Sequence, residues 1–424
     1  PAADTITAET GGSERLRIDS NGKLLGGNYF TSKQIGAVTA PVQIQGTTAD
    51  TSALSLFRYS NDTGGSTITL GKGRGTSGGA IDKPQENDTV GTIHFHIANN
   101  NDLVNGNVAA IDVQVDAEPG GSDTPGRIRF LTSPDGSSTL TERLRINSSG
   151  KILIGDDTAE STMGLSANVQ TFGTDASSSS IAIRRGSNDA QAAFLVMSKS
   201  RNTSVGSRTI LNNGDEVGNI FFVADDGTDL ASNTAAIKSQ IDAAPGGNDT
   251  PGNLSFWTTA DGSNSATQRM IIHSMGAITT PTNPAFFAYR GSNSSNYPSQ
   301  TVIFSSQLFD RGGDNYNPSN GRFTAPVAGY YQFGVYMYLG FSGGAVRVVH
   351  CHFRKNNVDF AQLELAGGTN SDGGNYYHPS GHGGCLIPLA KDDYVTFYIN
   401  APSTIGVSDY IMYNTSYFYG YLVG

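Results

Sequence analysis

The stretch Glu216–Arg269, EVGNIFFVADDGTDLASNTAAIKSQIDAAPGGNDTPGNLSFWTTADGSNSATQR, rewrites Thr89–Arg143, TVGTIHFHIANNNDLVNGNVAAIDVQVDAEPGGSDTPGRIRFLTSPDGSSTLTER. The copies are offset by about 127 residues, slipping to about 126 after one deletion, and tandem units of this kind mark an array that propagates in one direction. Apolar residues alternate within each copy: Ile128 and Phe130, Leu254 and Phe256, Leu144 and Ile146, Met270 and Ile272. Period two is the signature of strands with one face buried and the other wet. Between them stand turns such as Glu118-Pro119-Gly120-Gly121 and Asp249-Thr250-Pro251-Gly252, where Pro presets the bend and Gly accepts backbone angles that other residues resist. No amphipathic helix of convincing length appears, so both copies are predicted to be nearly all β.

The pairing extends outward. Val42 and Gly46 answer Val169 and Gly173, while Leu56, Ser60, Lys72 and Arg74 answer Ile183, Ser187, Lys199 and Arg201. This places one shaft repeat at 41–157, and a linker with a second repeat at 158–281. A third fragment, Ser13–Lys23 (SERLRIDSNGK), matches Thr141–Lys151 and more loosely Thr267–Ala277. Residues 1–40 therefore read as the end of a preceding repeat plus linker, and the chain as the distal part of something longer. One-sided strands with little charge leave unpaired edges and an inadequate core in a lone copy. Three identical chains about one axis remove the edges and share an interior, so a homotrimer is the expected assembly.

Charged residues are 15% of the chain, against about 25% in an average domain. The net charge of −10 disfavours nucleic acid, which needs clustered Lys and Arg. No window approaches the roughly 18 uninterrupted apolar residues of a membrane span, so no membrane insertion is expected. The two cysteines, Cys351 and Cys385, are too few for a disulfide scaffold; two isolated buried thiols are expected, with a pair as the alternative.

After Pro281 the composition changes: of 18 tyrosines only Tyr29 and Tyr59 lie outside 282–424. Tyr331, Phe333, Val335, Met337 and Leu339 fall on one face of a predicted strand, as do Val395, Phe397 and Ile399, which marks a separate strand-rich domain.

Two resemblances follow. The segments SERLRIDSNGK and TERLRINSSGK, with GDEVGNIFFVADDGTDL, IDAAPGGNDTPGNLSFWTTADG and SKSRNTSVGS, resemble the repeats of tailed-bacteriophage tail fibres and adhesins over about 1–281. That likeness implies a fibrous trimeric shaft on a virion. Residues 284–424 resemble the globular head of the complement C1q family on Tyr316-Asn317-Pro318, Gly321, Phe323, Pro326, Gly329, Tyr331, Phe333 and the closing Phe418-x-Gly420-x-Leu422. This second likeness implies a jelly roll, a tight trimer, and termini together at the base with the opposite face free for a partner. Lys391-Asp392-Asp393 departs from that family, which usually carries Gly before the second acidic residue. The fold class is therefore all-β, a fibrous trimeric shaft of two tandem repeats followed by a C-terminal jelly-roll head.

Several constellations could in principle carry chemistry. His94-x-His96 would put two imidazoles on one strand face, yet the second copy carries Phe221 and Val223 there, which favours a packed core or interface pair over a metal site. His350-x-His352 poses the same question, with Cys351 pointing the other way, and His378 and His382 lie in a Gly-rich stretch nearby. Recognised zinc spacings are absent, so no cofactor is expected, with a structural ion as the alternative. Asp116, Asp123 and Asp135 recur as Asp242, Asp249 and Asp261, which suits turn formation better than one active centre. Asp225-Asp226-Gly227-Thr228-Asp229 lacks the spacing and closing Glu of an EF-hand and reads as a solvated loop. No nucleophile elbow or phosphate-binding loop supports an enzyme.

For binding, the candidates are Tyr376, Tyr377 and His378 in the Gly367–His382 stretch, with Tyr410 and Tyr413 in Ala401–Asn414; Tyr offers a flat apolar face and a hydroxyl at little entropic cost. Packing in a trimer interface is the alternative for each. The expected function is attachment of a phage virion to its host. Other tail proteins would lie on the N-terminal side, and a host glycan or protein at the head. A polysaccharide depolymerase and a secreted cellular ligand with a complement-type head are the rivals.

Overall fold

The computed structural model describes residues 4–99, 103–295, 299–341, 347–367, 380–400 and 410–424. The chain divides into two compact units, 1–195 and 196–424. Among the described residues the architecture is all-β apart from one short 3-10 turn at Ala49–Thr51.

The first unit holds two meandering sheets. One runs Ile6–Thr10, Ser13–Ile18, Leu24–Gly27 and Val42–Gln45; the other runs Thr89–His96, Asn107–Val115, Gly126–Thr132, Thr141–Ile146, Ile152–Ile154 and Val169–Thr171. In both, the last strand lies parallel to the one before it, and all other neighbours are antiparallel. The second unit opens with the equivalent sheet of the second copy: Glu216–Ala224, Ser232–Ile241, Gly252–Thr259, Ala266–Ile272 and Ile278–Thr279.

The thrice-written SERLRIDSNGK motif is one hairpin built three times. Asp19, Asn147 and His273 each donate their N–H to the carbonyl of Lys23, Lys151 and Ala277, and each accepts from Gly22, Gly150 and Gly276. Those glycines have φ of 77°, 75° and 82°, the left-handed backbone that only Gly enters without a Cβ penalty. Arg17 pairs with Glu14 at 2.6 Å, and Arg145 with Glu142 at 2.5 Å.

The two faces of the first copy's sheet are occupied in an unexpected sense. Cross-strand register puts Asp112 beside Arg129 and Arg145, and Gln114 beside Arg127, on one face; Ile93, Ile111, Phe130 and Leu144, with Val113, Ile128 and Ile146, share the other. The charged face is the closed one, with Asp112, Gln114, Arg127 and Arg145 at most 9% exposed. Ionic partners make this tolerable: Arg127 reaches Asp116, Gln114 and Asn87, Arg129 reaches Asp112 and Glu142, and Arg145 reaches Glu142 and the Asp157 carbonyl. The apolar face is open, with Ile93 54%, Phe95 50% and Phe130 39% exposed. In the second copy Lys238 and Ser255 take the places of Asp112 and Arg129, and the Lys238 ammonium lies 4.6 Å from the centre of the Trp257 ring. There too the opposite face, with Ile220, Phe222 and Leu254, is exposed.

Residues from Ala285 onward form two packed sheets. The first has the order Ser294–Ser295, Tyr410–Met412, Gly329–Phe341, Tyr417–Leu422, Ala285–Tyr289, Ser306–Arg311, with Ser380–Leu389 also paired to Gly329–Phe341. The second has Tyr316–Asn317, Arg322–Thr324, Tyr394–Asn400, Arg347–Lys355, Val358–Gly367, with Gln300–Thr301 on Tyr394–Asn400. Alternation assigns the core here as read from the sequence: Tyr331, Phe333, Val335, Met337 and Leu339 from one sheet and Val395, Phe397 and Ile399 from the other are buried. Phe418 sits between the sheets, its ring centre 5.0 Å from Phe286, 5.7 Å from Phe304, 5.9 Å from Phe333 and 6.4 Å from Phe397. Gly420 has no room for a side chain, since a Cβ there would meet the Phe333 ring at 2.6 Å.

Candidate functional site

The strands of the C-terminal domain run between two ends. At the base, Leu422 donates to the Pro284 carbonyl at 3.0 Å, Asn283 reaches the Leu422 carbonyl, and Tyr330 donates to the Gly424 carbonyl, so the chain enters and finishes together. At the opposite rim, Phe341 pairs with Tyr410, Arg347 with Gly367, His350 with Asn400 and Ser295 with Ile411. Tyr376, Tyr377 and His378 lie outside the described residues, as does the side chain of Tyr410. The Tyr410 backbone joins the rim through its pairing with Phe341. Tyr413 is half-buried there: its N–H meets the Tyr338 carbonyl at 3.0 Å and its ring centre lies 4.7 Å from that of Tyr338.

The outer face of the second sheet carries a polar row that the core alternation dictates, running from His350 beside this rim to Arg354 and Tyr394 at the other end of the same strands. Val349, Cys351 and Phe353 turn inward, so His350, His352 and Arg354 take the outer face; Val395, Phe397 and Ile399 turn inward, so Tyr394 and Tyr398 take the outer face with Thr396, which is itself buried. His350 Nδ1 is 2.7 Å from Gln362 Nε2, and His352 Nδ1 is 3.5 Å from Asp359. Arg354 binds Asp359 at 2.5 Å and lies 3.3 Å over the Tyr398 ring, while Arg322 lies 3.7 Å over Tyr394. Flat guanidinium-capped rings flanked by imidazoles and carboxylates present both stacking surfaces and paired donors and acceptors to a hydroxyl-rich or charged ligand. Sequence reasoning singled out the histidines but passed over Arg354, Tyr398, Arg322 and Tyr394. The signal was present in the outward half of the same alternation that revealed the core.

The remaining candidates disperse. His94 is exposed and His96 half-buried, with ring centres 5.6 Å apart. His96 packs against Gly36, where a Cβ would come within 2.8 Å of the ring, and its Nδ1 is buried without a hydrogen-bond partner among the described residues. His382 is exposed on the strand paired with Tyr336. Among the described residues no group of three or more His, Cys, Asp or Glu is arranged to hold a metal ion. Asp116 and Asp242 do more than shape turns, each accepting both N–H and hydroxyl of a residue in the distant hairpin, Ser148 and Ser274. Asp123 accepts the Gly120 N–H within its own turn. Asp226 accepts from Thr228 and Ser232 inside its loop. Cys351 and Cys385 are both free thiols, and burial pushes them up to about 12 and about 11. Asp310 is raised by burial, while its carboxylate accepts the Tyr316 N–H at 2.8 Å.

Residues 285–423 match the C1q domain family. The match falls on the aromatic end of the chain, where the motif from Tyr316 to Phe333 had implied it. Its members have visible work: Tyr316 stacks on Phe286 at 4.7 Å and donates to the Phe304 carbonyl, Gly321 takes φ 70° where a Cβ would strike the Val302 carbonyl, and Phe323 is fully buried. The departure at Lys391-Asp392-Asp393 is absorbed in a turn where Asp392 itself adopts φ 70°, a conformation that Asp tolerates better than most residues and Gly enters freely. No curated protein matches the chain. Among solved structures, the carboxy-terminal domain of the bacteriophage T5 L-shaped tail fibre is similar at 16% identity, covering 54% of this chain and 90% of that one, with a TM-score of 0.44. The same fibre domain with its intramolecular chaperone domain gives 13% identity, 82% and 94% coverage and a TM-score of 0.44. The globular domain of zebrafish complement 1qA protein gives 21% identity, 34% and 98% coverage and a TM-score of 0.26. No helix among the described residues is long and apolar enough to cross a membrane.

Proposed function

We propose that this chain builds a homotrimeric phage tail fibre, in which β-rich shaft repeats carry a C1q-type head that attaches the virion to the host surface. The observation that carries the reading is the opposed geometry of the head. The chain enters and leaves at the base, and the rim at the other end of the same strands is left for a partner. The resemblance of the repeats to phage fibre shafts supports the viral setting, and the open apolar face of each repeat supports assembly with sister copies. Attachment on this reading is binding without cleavage or cofactor. Three equivalent weak sites on one rigid trimer, multiplied by several fibres per particle, raise the effective concentration at the surface. Tyr376, Tyr377, His378, Tyr410 and Tyr413, together with His350, His352, Arg354 and Tyr398 on the outer face of the second sheet, are the proposed contacts for host glycan or protein, with other tail proteins engaging the N-terminal side.

The test is retention of the labelled full chain on a panel of bacterial strains and immobilised surface glycans, with reducing ends measured in parallel. Saturable retention on a subset of strains, abolished by deleting 282–424 from an otherwise assembled shaft, is expected. Retention indifferent to that deletion would refute head-mediated attachment, and new reducing ends would replace binding by depolymerisation.

A further inference from the structure

Two stretches of the chain have the sequence of strands without the bonds of strands. Among the described residues, neither 53–73 nor 180–200 makes a backbone–backbone hydrogen bond, and neither contains an assigned strand. Their side chains are not those of a solvated linker. Phe57 is 74%, Tyr59 92% and Ile68 68% exposed in the first, and Ile181 76%, Phe194 70% and Val196 78% in the second. Backbone amides beside large apolar side chains call for a neighbour that supplies both hydrogen bonds and cover.

Both stretches are nonetheless held in one repeated geometry. Arg58 pairs with Asp62 and Arg185 with Asp189; Arg74 pairs with Asp88 and Arg201 with Asp215, both at 2.6 Å. Leu70 packs over Gly91 and Met197 over Gly218, where a Cβ would approach the opposing Cβ to 2.6 Å and 2.9 Å, so each glycine keeps a berth for the stretch on the first strand of its sheet. A partner for both must present matching strands with the same period of about 127 residues. A second copy of this chain has that period.

We propose that 53–73 and 180–200 are the intermolecular seams of the fibre: each pairs through its backbone with a sister copy, and its apolar side chains close over the open faces of the shaft. This rests on the trimeric reading above, deepening it from association of heads to interlocked shafts. Assembly then consists of two events, and the shaft's β-structure is completed only as chains zip together.

Hydrogen exchange on the assembled full chain, read by mass spectrometry beside its mass from light scattering, tests this. A trimer in which amides of 53–73 and 180–200 exchange at least about a thousand-fold more slowly than unpaired chain is expected. A trimer in which both stretches exchange freely would overturn the proposal and leave the trimer standing, whereas a monomer would overturn both. Ser55→Pro removes an N–H donor that the chain itself does not use. It should lift protection across 53–73 by at least about ten-fold while leaving that of Gly329–Phe341 unchanged. Unchanged protection in 53–73 would also count against the seam.

Discussion

Replacing Phe130 by Asp tests whether the open face of the shaft sheet is where copies of the chain meet. Phe130 is 39% exposed, and Ile93, Phe95, Val113 and Ile128 beside it range from 36% to 54%. An aromatic side chain buries about 150–250 Å² when fully covered, so roughly 80 Å² of Phe130 remains open in one chain. Covering that area stabilises by about 2 kcal/mol per copy at ~25 cal/mol/Å². Asp forfeits this and brings a carboxylate into an apolar contact, which costs several kcal/mol more per copy. Three copies together lose on the order of 10 kcal/mol, enough to dissociate a typical assembly. Light scattering and thermal unfolding of the full chain at pH 7 give the answer: loss of trimer mass or a large fall in melting temperature is expected. Phe130→Leu should stay within about 1.5 kcal/mol of the parent. Val205→Asp, at a fully exposed turn, should change nothing. A Phe130→Asp protein of unchanged mass and melting temperature would refute the idea that this face is an interface.

Phe418→Ala removes the ring shared by both head sheets and should destabilise the head by about 3–5 kcal/mol in urea unfolding followed by near-ultraviolet dichroism; a loss under about 1 kcal/mol would mean the two sheets do not depend on it. The Asp393 carboxyl is held down to about 2, first by the Lys355 ammonium, then by the Asn356 amide and the Ala390 N–H, against an ordinary value of 3.8. A depressed carboxylate favours the fold above its ordinary value, and that contribution vanishes as pH falls through about 2. Asp393→Asn should therefore be less stable than the parent at pH 7 and converge with it near pH 2, and stability curves that stay parallel from pH 7 to 2 would contradict this. Native protein should take up no maleimide at pH 7.5, because burial raises both Cys351 and Cys385, whereas urea-unfolded protein should take up label at both; rapid native labelling would show that either thiol opens to solvent.

The head was the more legible part because its alternation has one solution. Tyr331 to Leu339 and Val395 to Ile399 can satisfy period two only by facing each other, and one chain supplies both sheets. In the shaft the same rule identified strands and hairpins but not which face closes. Ile128, Phe130, Arg127 and Arg129 alternate without ambiguity, yet Arg127 is buried and Arg129 half-buried within the chain, because Asp112, Asp116 and Glu142 reach over from neighbouring segments to neutralise them. That contribution is invisible without the register between strands. Leu54-x-Leu56 and Ile181-x-Ile183 show the same gap from the other side. Both carry period two, and among the described residues neither forms a strand within one chain, since pattern records what a segment is suited to and not which molecule completes it. Where a charged face is closed by its own chain and an apolar face is left open in both copies of a repeat, the hydrophobic term that ordinarily stabilises a single fold is still unspent. On the trimeric reading proposed above, association between chains is then the remaining step of folding for the shaft.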